Sequence, residues 1–174
     1  MMKVILYMAV SVDGFVAKEN DDTASWVSEI EWESYRKMTQ EVGNVIIGRR
    51  TFEVALREGD FPFQNCFNVV VTDKEIENKW ENDAIFVRSP KQALKTLEEK
   101  GFSSALVGGG GALNGSFMQE GLVDEIYLDI EPVALGVGIQ LFGGKDLDVR
   151  LKLLGTKKLS ENEIQLHYQV EKHG

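Results

Sequence analysis

At 174 residues, with three prolines, a single cysteine and 43% hydrophobic residues, the chain has the size and make-up of one compact domain spanning residues 1–174. Its formal net charge of −9 argues against a general nucleic-acid surface, which needs an excess of lysine and arginine, so any anionic ligand has to be held locally. No apolar run approaches the ~20 residues of a membrane span, and Met1-Met2-Lys3 leads into a strand pattern without a cleavage-site motif, so the expected location is cytoplasmic.

Lys3 to Val10 is almost continuously apolar, the pattern of a central strand covered on both faces, and Ser11-Val12-Asp13-Gly14 ends it in a turn before Phe15-Val16-Ala17. Asn20 to Ser25 is small and polar, a mobile loop over the end of that strand, and Trp26 follows it. Ser28 to Val42 reads as a helix whose Ser28 and Glu31 have the spacing of a capping box. Val27, Glu31, Tyr35, Met38 and Val42 fall within an arc of about 80° on that helix. Glu31 is the ionisable carboxylate of this stripe. Two readings stand: it completes the cap from the first turn, or burial raises its pKa and makes it a catalytic acid.

Asn44 to Gly48 is a short strand that runs into Gly48-Arg49-Arg50-Thr51-Phe52-Glu53, the start of a second helix and, with its arginines and threonine hydroxyl, a local anion site. Phe67 to Thr72 and Ala84 to Val87 are strands, with Cys66 a small core residue just before the first. Ser89-Pro90-Lys91-Gln92 opens a one-faced covering helix that runs to Lys100 and stops at Gly101. Ala105 to Val107 is a buried strand, Gly108 to Gly111 a run of glycines, and Ala112 to Glu120 a helix stopped by Gly121. The glycines either make a tight strand-to-helix turn or let a phosphate lie against the backbone. Leu113 stands where the third glycine of G-x-G-x-x-G would be, so a Rossmann site is not the first choice.

Val123 to Ile130 is a strand, Pro132 to Gly138 a loop, and Val149 to Lys158 with Ile164 to Glu171 a C-terminal hairpin. His167 and His173 have no ligand spacing to a carboxylate or cysteine and are expected at the surface, and no metal is expected. This order implies an α/β fold with a mainly parallel central sheet, helices on both faces and an antiparallel edge. Ligands of such sheets sit at the carboxyl ends of the strands, where Ser11 to Asp13, Gly48, Thr72 and Gly108 fall.

Ser11 to Ala17, Gly48 to Glu53, Val107 to Gly111, Leu122 to Glu125, Pro132 and Gly136-x-Gly138 together resemble the dihydrofolate reductase-like superfamily. More closely, they resemble the reductase domain at the C-terminus of bifunctional riboflavin-biosynthesis proteins and its stand-alone bacterial relatives. The resemblance implies a three-layer dihydrofolate reductase-like fold and an NADPH-dependent reductase acting on a pterin-like or ribosylaminopyrimidine-like small molecule. Alternatives are dihydrofolate reductase proper and a nucleotide-binding protein without turnover. Gly48, Arg49, Arg50, Thr51 and Gly108, Gly109, Gly110, Gly111 and Ala112 would hold the cofactor's phosphates, and Thr72 to Lys74 would lie by its adenosine ribose. Asp73 leaves NADH open as the cofactor.

Trp26 stands before Glu31 at the distance at which dihydrofolate reductases carry a tryptophan before the substrate-holding carboxylate. Glu31 would therefore orient or protonate substrate, with Asp13 and Trp26 shaping the loop above it. Arg57 and Arg88 are the candidates for a glutamate tail. The zinc deaminase signatures of the bifunctional proteins do not occur in the chain. Relatives commonly pair, so a homodimer is implied.

Overall fold

The computed structural model describes residues 1–172; His173 lies outside the described residues. Residues of β1 (Lys3–Val10) alternate between two cores, as a strand covered on both faces must. Val4 and Leu6 pack with Ile46, Val69, Val107 and Ile126, while Ile5 and Tyr7 pack with Val45, Ile47, Val70 and Leu106. Leu6, Ile46, Ile47, Leu106 and Ile126 are fully buried. Each contributes about 1.5–3 kcal/mol relative to exposure, so the strand ends form a rigid base.

The other strands are β2 (Phe15–Ala17), β3 (Asn44–Gly48), β4 (Phe67–Val71), β5 (Ala84–Val87), β6 (Ser104–Val107), β7 (Glu125–Ile130), β8 (Ile139–Gln140), β9 (Leu151–Lys158) and β10 (Ile164–Val170). An eight-stranded sheet runs in the order β5-β4-β3-β6-β1-β7-β10-β9. Its members from β5 to β7 are parallel, and β10 is antiparallel to both β7 and β9. Helices α1 (Glu29–Val42) and α2 (Arg49–Glu58) cover one face through Tyr35, Met38, Phe52 and Ala55. Helices α3 (Pro90–Glu99) and α4 (Gly111–Gln119) cover the other through Ala93, Leu97, Leu113 and Phe117. This is the three-layer dihydrofolate reductase-like arrangement expected from the sequence.

Some assignments change. Residues 132–138 are loop, and directly after them Ile139 and Gln140 form a strand the sequence did not suggest, β8, which pairs antiparallel with Ala17 and Phe15 of β2. His167 is not simply a surface residue. It is half-buried on β10, stacked on Tyr127 with ring centroids 3.9 Å apart, and its Nε2 lies 2.7 Å from Glu125. Cys66 is partly buried against the second core, and burial pushes its thiol up to about 11, so it remains an unreactive thiol at neutral pH.

Candidate active site

Helices α1 and α3 start on serine caps, with Ser28 and Ser89 accepting the N–H of Glu31 and Gln92, whereas α2 and α4 start on Gly48 and Gly110 with no side chain capping them. Because β3 and β6 are parallel neighbours, the two uncapped starts meet at their carboxyl ends, and the Gly48 N–H donates to the Gly109 carbonyl at 2.8 Å. Uncapped N–H groups at the positive ends of two helices are a place for an anion. Packing accounts for some positions of the glycine run and leaves another open. A Cβ at Gly108 would overlap the Tyr35 hydroxyl, and one at Gly111 the Gln140 carbonyl, so packing demands glycine there. At Gly110 the nearest atom to such a Cβ is Thr51 Oγ1 at 3.5 Å, which leaves that backbone open. The Gly109–Gly110 peptide is cis.

A cleft of about 900 Å³ crosses this point. Of the residues singled out in the sequence, Gly48, Arg49, Arg50, Thr51, Thr72, Gly108, Gly110, Gly111, Ala112 and Glu31 line it. Gly109, Lys74, Asp13 and Trp26 are not among its lining residues. The Lys74 N–H instead donates to Thr72 Oγ1 at 3.1 Å. Asp13 accepts the Ser11 hydroxyl at 2.6 Å and the Leu135 and Gly136 N–H groups at 3.1 and 2.7 Å. The Ser11 hydroxyl and those N–H groups hold its carboxyl down to about 2, so Asp13 is a tie between the β1 turn and the 132–138 loop. Trp26 donates its indole N–H to the Asp22 carbonyl at 3.0 Å. The tryptophan that faces the cleft is Trp32, directly after Glu31.

The cleft is electrically polarised along α2. Arg49 and Arg50 stand at the first turn, whereas Glu58, at the last, lines the cleft together with Asp60. Those ends are roughly 13 Å apart at 1.5 Å per residue. Arg88 joins the basic end, where its Nη1 donates to the Asp73 carbonyl at 2.8 Å; Arg57 is not part of the lining. Arg50 is already engaged, as its guanidinium faces Asp21 of the β2–α1 loop with Nη2 to Oδ1 at 2.8 Å and Nε to Oδ2 at 3.3 Å. This fork of two contacts resembles the way arginine takes a phosphate.

Glu31 is 3% exposed, lines the cleft, and its carboxyl has no hydrogen-bond partner among the described residues. Burial first, then the nearby Asp129, Glu131 and Glu163 carboxyls, push it up to about 8. The capping box is completed by a different carboxylate. Ser28 Oγ does accept the Glu31 N–H at 3.1 Å, but the Ser28 N–H donates to Glu131 at 3.1 Å rather than to Glu31. The Glu31 side chain is thereby left for the cleft. Beside it Trp32, Tyr35 and Phe63 form an aromatic wall, with ring centroids 6.2 and 6.3 Å apart in succession.

Sequence reasoning did not find Asp129, Glu131 and Glu163, all buried behind Glu31, nor the contribution of Gly138, Ile139 and Gln140 to the cleft. A Glu at 131 directly before Pro132 was readable, but its partner Ser28 lies 103 positions away.

A family model described as the RibD C-terminal domain matches residues 2–164. Protein YwjB of Bacillus subtilis (strain 168) is 36% identical over 172 residues, which span 95% of this chain and 97% of its own. RibD of Acinetobacter baumannii superposes with a TM-score of 0.77 at 18% identity, over 98% of this chain and 58% of that one. Dihydrofolate reductase from Enterococcus faecalis, solved with NADP(H), superposes with a TM-score of 0.74 at 18% identity, over 98% and 97%. At these identities the solved structures speak for the fold.

Proposed function

Because the chain belongs to the RibD C-terminal domain family, we propose that it is an NADPH-dependent reductase of a pterin-like or aminopyrimidine-like ring. The observation that carries this reading is the meeting of two uncapped, glycine-headed helix starts beside Arg49 and Arg50 in the cleft. A dinucleotide bound there would supply the hydride to a C=N or C=O bond. Backbone N–H groups of Arg49 to Thr51 and Gly110 to Ala112 hold its phosphates, and Thr72, Asp73 and Arg88 border its adenosine end. Arg88, rather than the expected Lys74, is the cation available to a 2′-phosphate.

Glu31 orients the ring and holds the proton that balances hydride addition, because a carboxyl raised to about 8 is still an acid at neutral pH. Trp32, Tyr35 and Phe63 exclude water from the ring's other side. The acidic end of the cleft, with Glu58 and Asp60, favours a ring that carries no phosphate or carboxylate tail there, which disfavours dihydrofolate itself. Association into a homodimer is supported by Leu151, Leu153 and Leu154, exposed on β9 at the edge of the sheet.

The test is a titration of the protein with NADPH and separately NADH, followed by nicotinamide fluorescence. NADPH binding that Arg50→Ala weakens at least tenfold, followed by oxidation of NADPH with a pterin or aminopyrimidine, is the expected result. Binding of neither dinucleotide refutes the reading. Tighter binding of NADH would mean that Asp73 sets the preference.

A further inference from the structure

Behind Glu31 the Ser28 hydroxyl is asked to do more than one hydroxyl can. Its Oγ lies 3.0 Å from Glu131 Oε1 and 2.9 Å from Glu163 Oε2, and it also accepts the Glu31 N–H at 3.1 Å. Glu131 and Glu163 are 2% and 9% exposed, and no lysine, arginine or histidine hydrogen-bonds either of them among the described residues. A hydroxyl has one proton to give and two lone pairs. One lone pair takes the Glu31 N–H and the one proton goes to one carboxylate. The second carboxyl then makes its contact only as an acid, donating its own proton to the remaining lone pair.

We propose that Glu131 and Glu163 share one proton across the Ser28 hydroxyl, and that the single negative charge left on the pair is a positioning element that keeps the Glu31 carboxyl a proton donor. The shared proton moves without any change in total charge: Glu131 gives its proton to Oγ as Oγ gives its own to Glu163, and the reverse. Two ionised carboxylates at this distance in a buried site without a cation would repel each other, and the second proton prevents that. One remaining charge raises the proton affinity of Glu31. Asp129 on β7 adds to it while accepting the Tyr7 hydroxyl and, at 2.9 Å, the Gln165 amide. The other titratable groups facing Glu31 are the phenols of Tyr7 and Tyr35, which stay neutral. This inference rests on the reading of Glu31 as the acid of the reductase.

The test uses the whole chain with glutamates labelled at the side-chain carboxyl carbon, whose resonances are followed by NMR between pH 4 and pH 10 and assigned with Glu31→Gln, Glu131→Gln and Glu163→Gln. In the wild type, one proton should stay on the Glu131/Glu163 pair above pH 6. In either single variant the glutamine amide replaces the shared proton, so the remaining carboxyl should lose its proton at a lower pH than the wild-type pair loses its last one, and the Glu31 midpoint should stay in place. The double variant removes the charge, and the Glu31 midpoint should fall by about one pH unit. Full ionisation of both carboxyls below pH 6 in the wild type overturns the proposal, and so does a single variant whose remaining carboxyl holds its proton to as high a pH as the wild-type pair does. The wild type and single variants decide the matter even if the double variant does not fold. Hydride transfer from NADPH is assayed separately: its absence strikes the reductase reading and leaves the proton count standing.

Discussion

Replacing Glu31 by Gln keeps the shape of the side chain and removes its titration, so it isolates the free-energy cost of a buried carboxyl that faces the cleft. The folded-state pKa is raised, from 4.5 to about 8. The folded protein therefore holds a proton that the unfolded chain has lost, and stability falls as pH rises between those two values. At roughly 1.36 kcal/mol per unit the full cost is on the order of 5 kcal/mol, and water reaching the carboxyl from the cleft reduces this to about 2–3 kcal/mol. Wild type and Glu31→Gln should thus be close in stability near pH 4.5 and diverge up to pH 8, with the variant the more stable. Urea unfolding followed by tryptophan fluorescence at a series of pH values reads this directly, as a midpoint higher by about 1 M in the variant at the alkaline end. Asp129 and Glu131, also raised by burial, depress both proteins together, so the difference between the two curves is the quantity to follow. A difference that does not depend on pH refutes the burial of Glu31 as the cause. The same substitution should abolish most turnover while leaving NADPH affinity intact.

The Asp21 carboxylate occupies the Arg50 guanidinium, which on the proposed reading would take the cofactor's phosphate. Asp21→Asn should tighten NADPH binding several-fold in a fluorescence titration at low salt, with a smaller effect at high salt because an exposed pair is screened; weaker binding would mean that Asp21 helps to close the loop over the ligand. Gly111→Ala drives a Cβ into the Gln140 carbonyl and the Gly143 backbone. Overpacking against backbone should cost about 2 kcal/mol, seen as a melting temperature lowered by roughly 4–8 °C, and an unchanged melting temperature would show that the 139–143 segment yields freely.

What could be read from the sequence was local. Ser28 and Ser89 are recognisable as caps because the group each one satisfies lies three residues further on. The glycines at 48 and 108–111 are recognisable because a strand pattern stops and a helix pattern starts around them, and Glu31 because a helical stripe needs only 3.6-residue spacing. The features that escaped all join distant segments. β8 has two residues, too few to show a period, and exists because Phe15 and Ala17 offer it an edge. Trp26 and Trp32 flank Glu31, and only the start of α1 at Glu29 decides which of them turns toward the cleft. Asp13 has the composition of a catalytic aspartate, but the 132–138 loop brings it N–H groups from more than a hundred residues away.

The net charge of −9 and an anionic cofactor need not conflict, because the acidic groups are sorted by place. Arg49, Arg50 and Arg88 gather where two helix N-termini already point positive partial charge at the cleft, so few cations suffice for phosphates there. Acidic groups concentrate at the opposite end and behind Glu31, where a negative field has a different use: it opposes the loss of a proton. One cleft thus presents a cationic side at the start of α2 and, on α1, a protonated carboxyl beside an aromatic wall. On the proposed reading the first would hold the cofactor's phosphates and the second would keep a proton ready for the ring.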